Sequence, residues 1–578
     1  MKILLIQILR LGDAVQGTIV LKQIKDSFPD AEIHVLTTGI GASVFESEPE
    51  VDRVYVLHKE TIAGMLFQPV AHGIRQALHM LRRDIEEIVE QHWDWVINFS
   101  FCMPSALLAY LTGGIHCSGF TVMRNRRYVS REKWFAYAIA AFVHRGYSLF
   151  NWVDINRGIV GLLAETKVDG LSVDASRLDA SRRELASRGV GGTRTVGIHP
   201  GASGEYKRWP VKNFAELTRI LVQKYDCDVL VFGDDTDIRR AQHIQAKAGD
   251  RVVNLAGKTT ISDLAAYMSL CSVVVCNDSG AMHVASAVGT SVIGLFFSTH
   301  FVETGPCREK QVAVYPRLDC FPCKSTRACL DNRCLGCIPV EEVAHLVVHY
   351  ESIIQGMTRA CVEGTQSMIK VDISRRDPWG LIEWVPLERR AIETQDVLRM
   401  ILRPALIGHL TGEPIEISRK DYIDKLLTLF APDVDSKSMK KIVGDFVSLL
   451  TVLEETLEGC SRLCLEFQKE LLSERADAGA IRELGLRLAE KERSIEELEK
   501  HDGVGLLCKV IEIERNNLVA KNILDLATAS GRLYRSALDL IRTARRIGLE
   551  VGKRCQTAPV NDEFNKMPLT HQSHLEMR

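Results

Sequence analysis

Residues 273–297 read VVVCNDSGAMHVASAVGTSVIGLFF, and this stretch decides the fold. A buried-strand run, VVVC, stops at Asn277-Asp278-Ser279-Gly280; a helical pattern follows at once, and then a second apolar run, SVIGLFF. Strand, corner, helix and strand in that order make a βαβ unit, and such units build parallel sheets. The corner is where strand ends and helix N-termini open, so parallel α/β sheets bind ligands there. Asn-Asp-Ser also has the chemistry of a helix N-cap. Capping alone and ligand binding are both open readings of this stretch.

The same rhythm extends outward on both sides. Upstream, TVGIH (195–199), PVKNFAELTRILVQKY (210–225), CDVLVFG (227–233), TDIRRAQHIQAKAG (236–249), RVVNLAG (251–257) and TISDLAAYMSLC (260–271) alternate strand and helix, with Pro210 suited to a first helical turn. The N-terminal part alternates likewise, through KILLIQI (2–8), DAVQGTIVLKQIKDSFP (13–29), EIHVLTT (32–38), VDRVYVL (51–57), a long helix at 72–92 and DWVINFS (94–100). Residues 121–170 break the pattern with a basic cluster (Arg124, Arg126, Arg127, Arg131, Lys133) and an aromatic helix at 132–152. A polar helical connector at 172–189 precedes the restart. The expected architecture is α/β: two Rossmann-like domains facing across a cleft, at 1–170 and 171–350. Past residue 350 glycine thins out and the text is helical to about 555, giving an expected all-α domain at 351–555. Leu449, Leu453, Leu457, Cys460, Cys464, Phe467 and Leu471, then Ile481, Leu484, Leu488, Ile495 and Leu498, recur at helical spacing and fit an antiparallel bundle or a short coiled-coil hairpin. Residues 556–578 read as a disordered tail.

Composition excludes several classes. The 578 residues carry a net charge of −2, so no bulk field draws the chain to nucleic acid, and any anion site must be local. No run of about 18 apolar residues occurs, so no transmembrane helix is expected, and the N-terminus lacks a secretory layout. The 16 cysteines are mostly scattered singly, which fits free thiols in a cytoplasmic, reducing setting.

Three loops fall at strand C-terminal ends in the second domain: 198–210 (IHPGASGEYKRWP), 232–237 (FGDDTD) and the 277–283 corner. The first combines Gly201, Ser203, Gly204 and Lys207 before a helix, a combination suited to a diphosphate. Asp237, one strand over, could accept ribose hydroxyls. A separate feature is CFPCKSTRACLDNRCLGC (320–337). Its two C-x2-C pairs, Cys320/Cys323 and Cys334/Cys337, have the spacing of a tetrahedral zinc or iron site, with Cys329 or Cys307 as substitutes. Reduced thiols on a surface loop are the bland reading. With no His or Glu beside them, such a site would be structural.

The combination of RLGDAVQGT (10–18), HPGASGEYKRWP, residues 252–296 and TGP (304–306) resembles glycosyltransferase family 9, the ADP-heptose:lipopolysaccharide heptosyltransferases, over about residues 1–350. The resemblance implies a GT-B fold, inversion at the transferred sugar, and no cofactor for chemistry. It implies Asp13 as general base and Ser203, Lys207, Asp237, Thr259, Asp278, Ser279, Gly280 and His283 as donor contacts. One iron-binding branch of the family carries cysteines near 320–337. The implied partners are ADP-heptose and a lipopolysaccharide-type glycan, with transient contact with the inner-membrane surface and a homo-oligomer through the helical domain. Alternatives are a protein O-glycosyltransferase acting on a surface protein and an inactive GT-B scaffold. The chain departs from the family pattern at Ile19, where proline is usual, at Asn98, where aspartate is frequent, and at Asp237, where glutamate is usual.

Overall fold

The structure, a computed structural model, describes residues 1–66, 70–122, 128–130, 132–163, 170–191, 194–249, 251–323, 329, 331–355, 368–387, 390–413, 419–428, 436–473, 475–501 and 503–554. Arg124, Arg126, Arg127 and Arg131 of the basic cluster and the 556–578 tail lie outside these residues. The chain divides into two compact units, one of Met1–Val129 with Phe150–Glu388, the other of Ser130–Leu149 with the described residues from Arg390 to Arg554.

The first unit holds two sheets. Strands β1 (Lys2–Gln7), β2 (Glu32–Thr37), β3 (Arg53–Val56), β4 (Trp95–Asn98) and β5 (His116–Gly119) form an all-parallel sheet in the order β3-β2-β1-β4-β5. After a short hairpin, β6 (Thr121–Val122) with β7 (Tyr128–Val129), comes the second sheet. Its strands are β8 (Thr195–His199), β9 (Asp228–Val231), β10 (Val252–Asn254), β11 (Val273–Asn277), β12 (Ser291–Leu295), β13 (Val312–Pro316), β14 (Ile369–Arg376) and β15 (Ile382–Pro386), in the order β10-β9-β8-β11-β12-β13-β14-β15. The opening stretch is β11, helix Gly280–Ala287 and β12, with β11 parallel to both β8 and β12. Val273–Cys276 are buried to within 1% because helices cover both faces of a parallel sheet. The expected two sheets of mostly parallel strands, covered by helices, are present.

Past helix Tyr350–Ile354 the chain returns to strand before the helical unit: β14 and β15 pair antiparallel and extend the second sheet. Their turn is built by Asp377, whose Oδ1 accepts from the amides of Trp379 and Leu381, with Gly380 at φ +76°. IKVDISRR and IEWVP stand ahead of long helical stretches, and a helix-dominated reading of 351–555 passes over them.

The first helix, Leu11–Ser27, also anchors the connector between the two sheets. Its Lys22 pairs with the buried Glu48 at 2.9 Å, and both bind Ser172. Gly170, next to that clamp, runs against the Ala287 carbonyl so closely that a Cβ would sit 1.5 Å from the oxygen.

The second unit is all-α. Helix Ser436–Leu471 lies antiparallel to helix Ile523–Arg554: Glu454 meets Arg542 and Arg545 near one end, while Gln468 donates to the Ala527 carbonyl near the other. Leu453, Leu457, Cys460 and Cys464 are fully buried, as are Tyr534, Ala537 and Ile541. Leu449 and Leu471 are only half-buried, and Leu450 takes the core position beside Leu449. The aromatic helix Lys133–Val143 belongs to this unit, and Lys133 Nζ donates to the His409 carbonyl and Ser536 Oγ. No helix among the described residues is long and apolar enough to cross a membrane.

Candidate functional site

Each sheet has one point where the chain reverses its direction of winding. In the first sheet it lies between β1 and β4, in the second between β8 and β11. Ligand crevices form beyond the strand C-terminal ends at such points. The segment after β1 carries Asp13, the loop after β8 carries Lys207, and the corner after β11 carries Asp278.

Lys207 Nζ donates to Asp278 Oδ2 at 2.7 Å, and Thr299 Oγ1 donates to the same oxygen at 2.6 Å. Burial opposes ionisation of Asp278, but the Lys207 ammonium and the Thr299 hydroxyl outweigh it and hold the carboxyl below its ordinary range. Asn277 fastens the loop that carries Lys207: its Oδ1 accepts from the Trp209 amide at 2.9 Å, and its Nδ2 donates to the carbonyls of Pro200 and Gly201. Sequence reasoning passed over Thr299 and read Asn277 only as cap chemistry. The signal for Asn277 was available, since a fully buried amide at a strand end must spend its hydrogen bonds on neighbouring loops.

Ser279 occupies the cap position of helix Gly280–Ala287 with extended backbone, yet its hydroxyl makes no capping bond and is a buried oxygen with no partner among the described residues. Side-chain capping therefore does not explain this serine. The first amides of the helix point into the crevice end of the sheet, where a helix N-terminus favours an anion.

The two switch points meet through a close glycine contact. A Cβ on Gly12 would stand 2.7 Å from His283 Cδ2, and one on Gly280 would stand 3.0 Å from the Leu11 side chain. This contact sets Asp13 within electrostatic reach of both Asp278 and Lys207. Burial raises the Asp13 carboxyl above its ordinary value; the Arg10 amide, donating to Asp13 Oδ2 at 3.0 Å, partly opposes the rise, and the Asp278 charge adds to it. Burial also pushes His283 down to about 4, so its imidazole is neutral at pH 7.

The remaining expected residues are spread along the same strand ends. Asp237 is 3% exposed, bonded to Arg240 at 2.9 Å, and lies against Gly201 and Gly233, where added Cβ atoms would collide with its side chain. Ser203 is exposed on the loop after β8. Thr259 is half-buried next to Thr260, which caps helix Ile261–Ser269 in a capping box with Asp263.

The two C-x2-C pairs flank residues outside those described. Among the described residues no group of three His, Cys, Asp or Glu side chains is placed to hold a metal, while Cys334 lies within electrostatic reach of Cys320, Cys329 and Cys337. Cys320 and Cys329 are exposed. Cys323 is half-buried, and its backbone amide donates to the Ser298 carbonyl at 2.9 Å, which ties this residue to the loop after β12. Cys337 Sγ donates to the Arg333 carbonyl at 3.4 Å, the behaviour of a protonated thiol. Burial pushes Cys334 up to about 11, with Cys320, Cys329 and Cys337 contributing. Cys307, the substitute ligand, is buried elsewhere in the core and held protonated by that burial.

Residues 81–333 match the model of glycosyltransferase family 9 (heptosyltransferase). Lipooligosaccharide heptosyltransferase 2 of Campylobacter jejuni is 30% identical over 159 residues, which are 26% of this chain and 49% of that protein. In the two Campylobacter relatives the match thus spans about half of their length. Lipopolysaccharide heptosyltransferase 2 of Salmonella typhimurium is 26% identical over 311 residues, 51% of this chain and 82% of that one. Among solved structures, a family 9 glycosyltransferase from Veillonella parvula superposes with a TM-score of 0.49 at 19% identity, covering 60% of this chain and 97% of that chain.

Proposed function

We propose that this chain is a glycosyltransferase of family 9, whose model matches residues 81–333, and that it transfers a sugar, heptose from ADP-heptose, to a glycan acceptor of the lipopolysaccharide type, with inversion at the anomeric carbon. The observation that carries the reading is the pairing of the two switch points: a carboxylate on the first sheet, Asp13, opposite an ammonium and a free helix N-terminus on the second.

In this reading the donor lies along the strand ends of the second sheet. Its diphosphate takes Lys207 and the amides that begin helix Gly280–Ala287, while the nucleoside runs toward Ser203, Asp237 and Thr259. Asp278 and His283 face the sugar. The acceptor hydroxyl attacks the anomeric carbon as Asp13 removes its proton, and the bond to the diphosphate breaks. Charge developing on the leaving group is stabilised by the ammonium and the helix amides, fixed groups that need no reorganisation. The residues need no metal for this step.

A polypeptide acceptor is the second reading. It is favoured by the helical unit, whose helices from Thr394 onward lie outside the residues matched by the family. We place the reaction in the cytoplasm. A screen of nucleotide sugars by thermal shift, followed by transfer to lipopolysaccharide core fragments and to polypeptides, tests all of this. Stabilisation by ADP sugars with turnover on a glycan supports the first reading, turnover only on polypeptide the second, and no response to any nucleotide sugar sinks both.

A further inference from the structure

Helix Leu11–Ser27 carries a second polar side chain on the face that bears Asp13. Gln16, three residues on, is 5% exposed, and its Nε2 lies 3.2 Å from His283 Nδ1. Residues three apart share a helix face, so the general-base candidate and this amide approach the donor corner together. We infer that Gln16 is a positioning residue that fixes the tautomer of His283 and, through it, the register of Asp13 against the donor corner.

The argument is one of donors and acceptors. An amide nitrogen only donates, so Nδ1 of His283 accepts, and the neutral ring must carry its proton on Nε2. The Nε2 edge is the one that lies against Gly12: a Cβ there would be 2.7 Å from Cδ2 and 3.4 Å from Nε2. The ring thus presents an N–H donor beside the Gly12-Asp13 turn, where a transferred sugar and its leaving diphosphate would lie. A donor there stabilises oxygen that gains negative charge, whereas the opposite tautomer would turn a lone pair on it. Glycine at 12 allows the approach, and Gln16 sets what the ring does once there. The consequence for rate rests on the proposed transferase reading; the tautomer does not.

The test uses the full chain labelled with ¹⁵N-histidine, without ligand, with His283→Gln supplying the assignment. At pH 7 the His283 Nδ1 resonance should be that of an unprotonated nitrogen and Nε2 that of a protonated one. Gln16→Glu replaces the donor with a carboxylate that only accepts, so the proton moves to Nδ1 and the unprotonated Nδ1 signal disappears. With an established donor and acceptor, kcat of Gln16→Glu should fall at least about tenfold, the scale for partners that orient a functional imidazole, with a smaller change in donor KM. Adding His283→Gln to Gln16→Glu should cost little more, because both act through one ring. A protonated Nδ1 in the wild-type chain overturns the inference, and that measurement stands even where Gln16→Glu does not fold. A relocated proton with wild-type kcat also overturns it. Failure of every nucleotide sugar to react would instead refute the transferase reading and leave the resonance result intact.

Discussion

Asp13→Asn separates chemistry from folding more sharply than other substitutions in this cleft. The carboxyl accepts the Arg10 amide through Oδ2 at 3.0 Å, and an asparagine oxygen can accept the same bond, so the start of helix Leu11–Ser27 is retained. What is lost is the ability to take a proton. General-base help supplies about 10²–10⁴-fold, which at 1.36 kcal/mol per decade is about 2.7–5.5 kcal/mol of transition-state stabilisation. The stability effect has the opposite sign. Burial raises the Asp13 pKa, so the folded protein binds this proton more tightly than the unfolded chain does. Ionisation then costs stability as pH rises from the unfolded carboxyl range through the raised value. Asparagine removes it, so the melting temperature should hold or rise. Asp13→Ala should instead lose about 1 kcal/mol with the cap. Donor affinity should hold or tighten slightly, because one negative charge leaves the neighbourhood of Asp278. The acid limb of wild-type kcat/KM should lie above the ordinary aspartate range and vanish in Asp13→Asn. The assay is transfer from the nucleotide sugar identified by thermal shift, with calorimetry on the nucleotide and a melt of each variant. Near wild-type transfer by Asp13→Asn refutes the catalytic role; a lower melting temperature with an unchanged rate would mean that Asp13 only caps.

Lys207→Met should weaken ADP by about 1.5–3 kcal/mol, the worth of hydrogen bonds to charged groups, and adenosine much less; equal losses in calorimetry would rule out the phosphate role. The same substitution strands Asp278, whose lowered pKa contributes stability above the ordinary aspartate range that is lost as pH falls through the lowered value. Its melting temperature should drop at pH 7, and Asp278→Asn added to it should restore part of the loss. Gly12→Ala puts a methyl 2.7 Å from His283 Cδ2 and should cost about 1–3 kcal/mol of overpacking, slowing transfer more than it weakens nucleotide binding; an unchanged rate would remove the close contact from the account. Cys320 and Cys329 should react at once with a thiol reagent, whereas Cys271 and Cys276, buried and held protonated, should stay silent until unfolding. Native thiols that react only after a chelator is added would instead show a bound metal on the loop.

The sheets were legible in the sequence because a parallel strand is buried on both faces and so reads as an unbroken apolar run, as VVVC does. The loops at their ends were legible for a related reason: polar and glycine residues that interrupt such runs stand out. What escaped was whatever depends on the partner across a gap. β14 and β15 look like fragments between helices until they meet β13, and the aromatic helix Lys133–Val143 gives no sign in its own residues that it packs against helix Val504–Asn516. The cysteine spacing alone says nothing about which way the thiols turn: Cys337 turns to a carbonyl, and Cys323 is tied by its backbone to the loop after β12.

Gln16 shows the limit most clearly. In DAVQGTIVLKQIKDSFP it is one polar residue in an amphipathic helix, and nothing local distinguishes it from Gln23, which is buried on the same helix. It acquires meaning from His283, 267 positions away, and only because Gly12 and Gly280 let two backbones approach within a side chain's reach. The glycine of RLGD is thus tied to the corner by steric need, and the aspartate beside it by electrostatics. A substitution at Gly12 should therefore disturb Asp13, Gln16 and His283 together, while one at Lys207 or Asp278 should act mainly on the donor side. If Gly12→Ala and Lys207→Met gave additive losses in transfer, the two sets would be energetically separate; coupling between them would mean that anion binding and domain register share one contact.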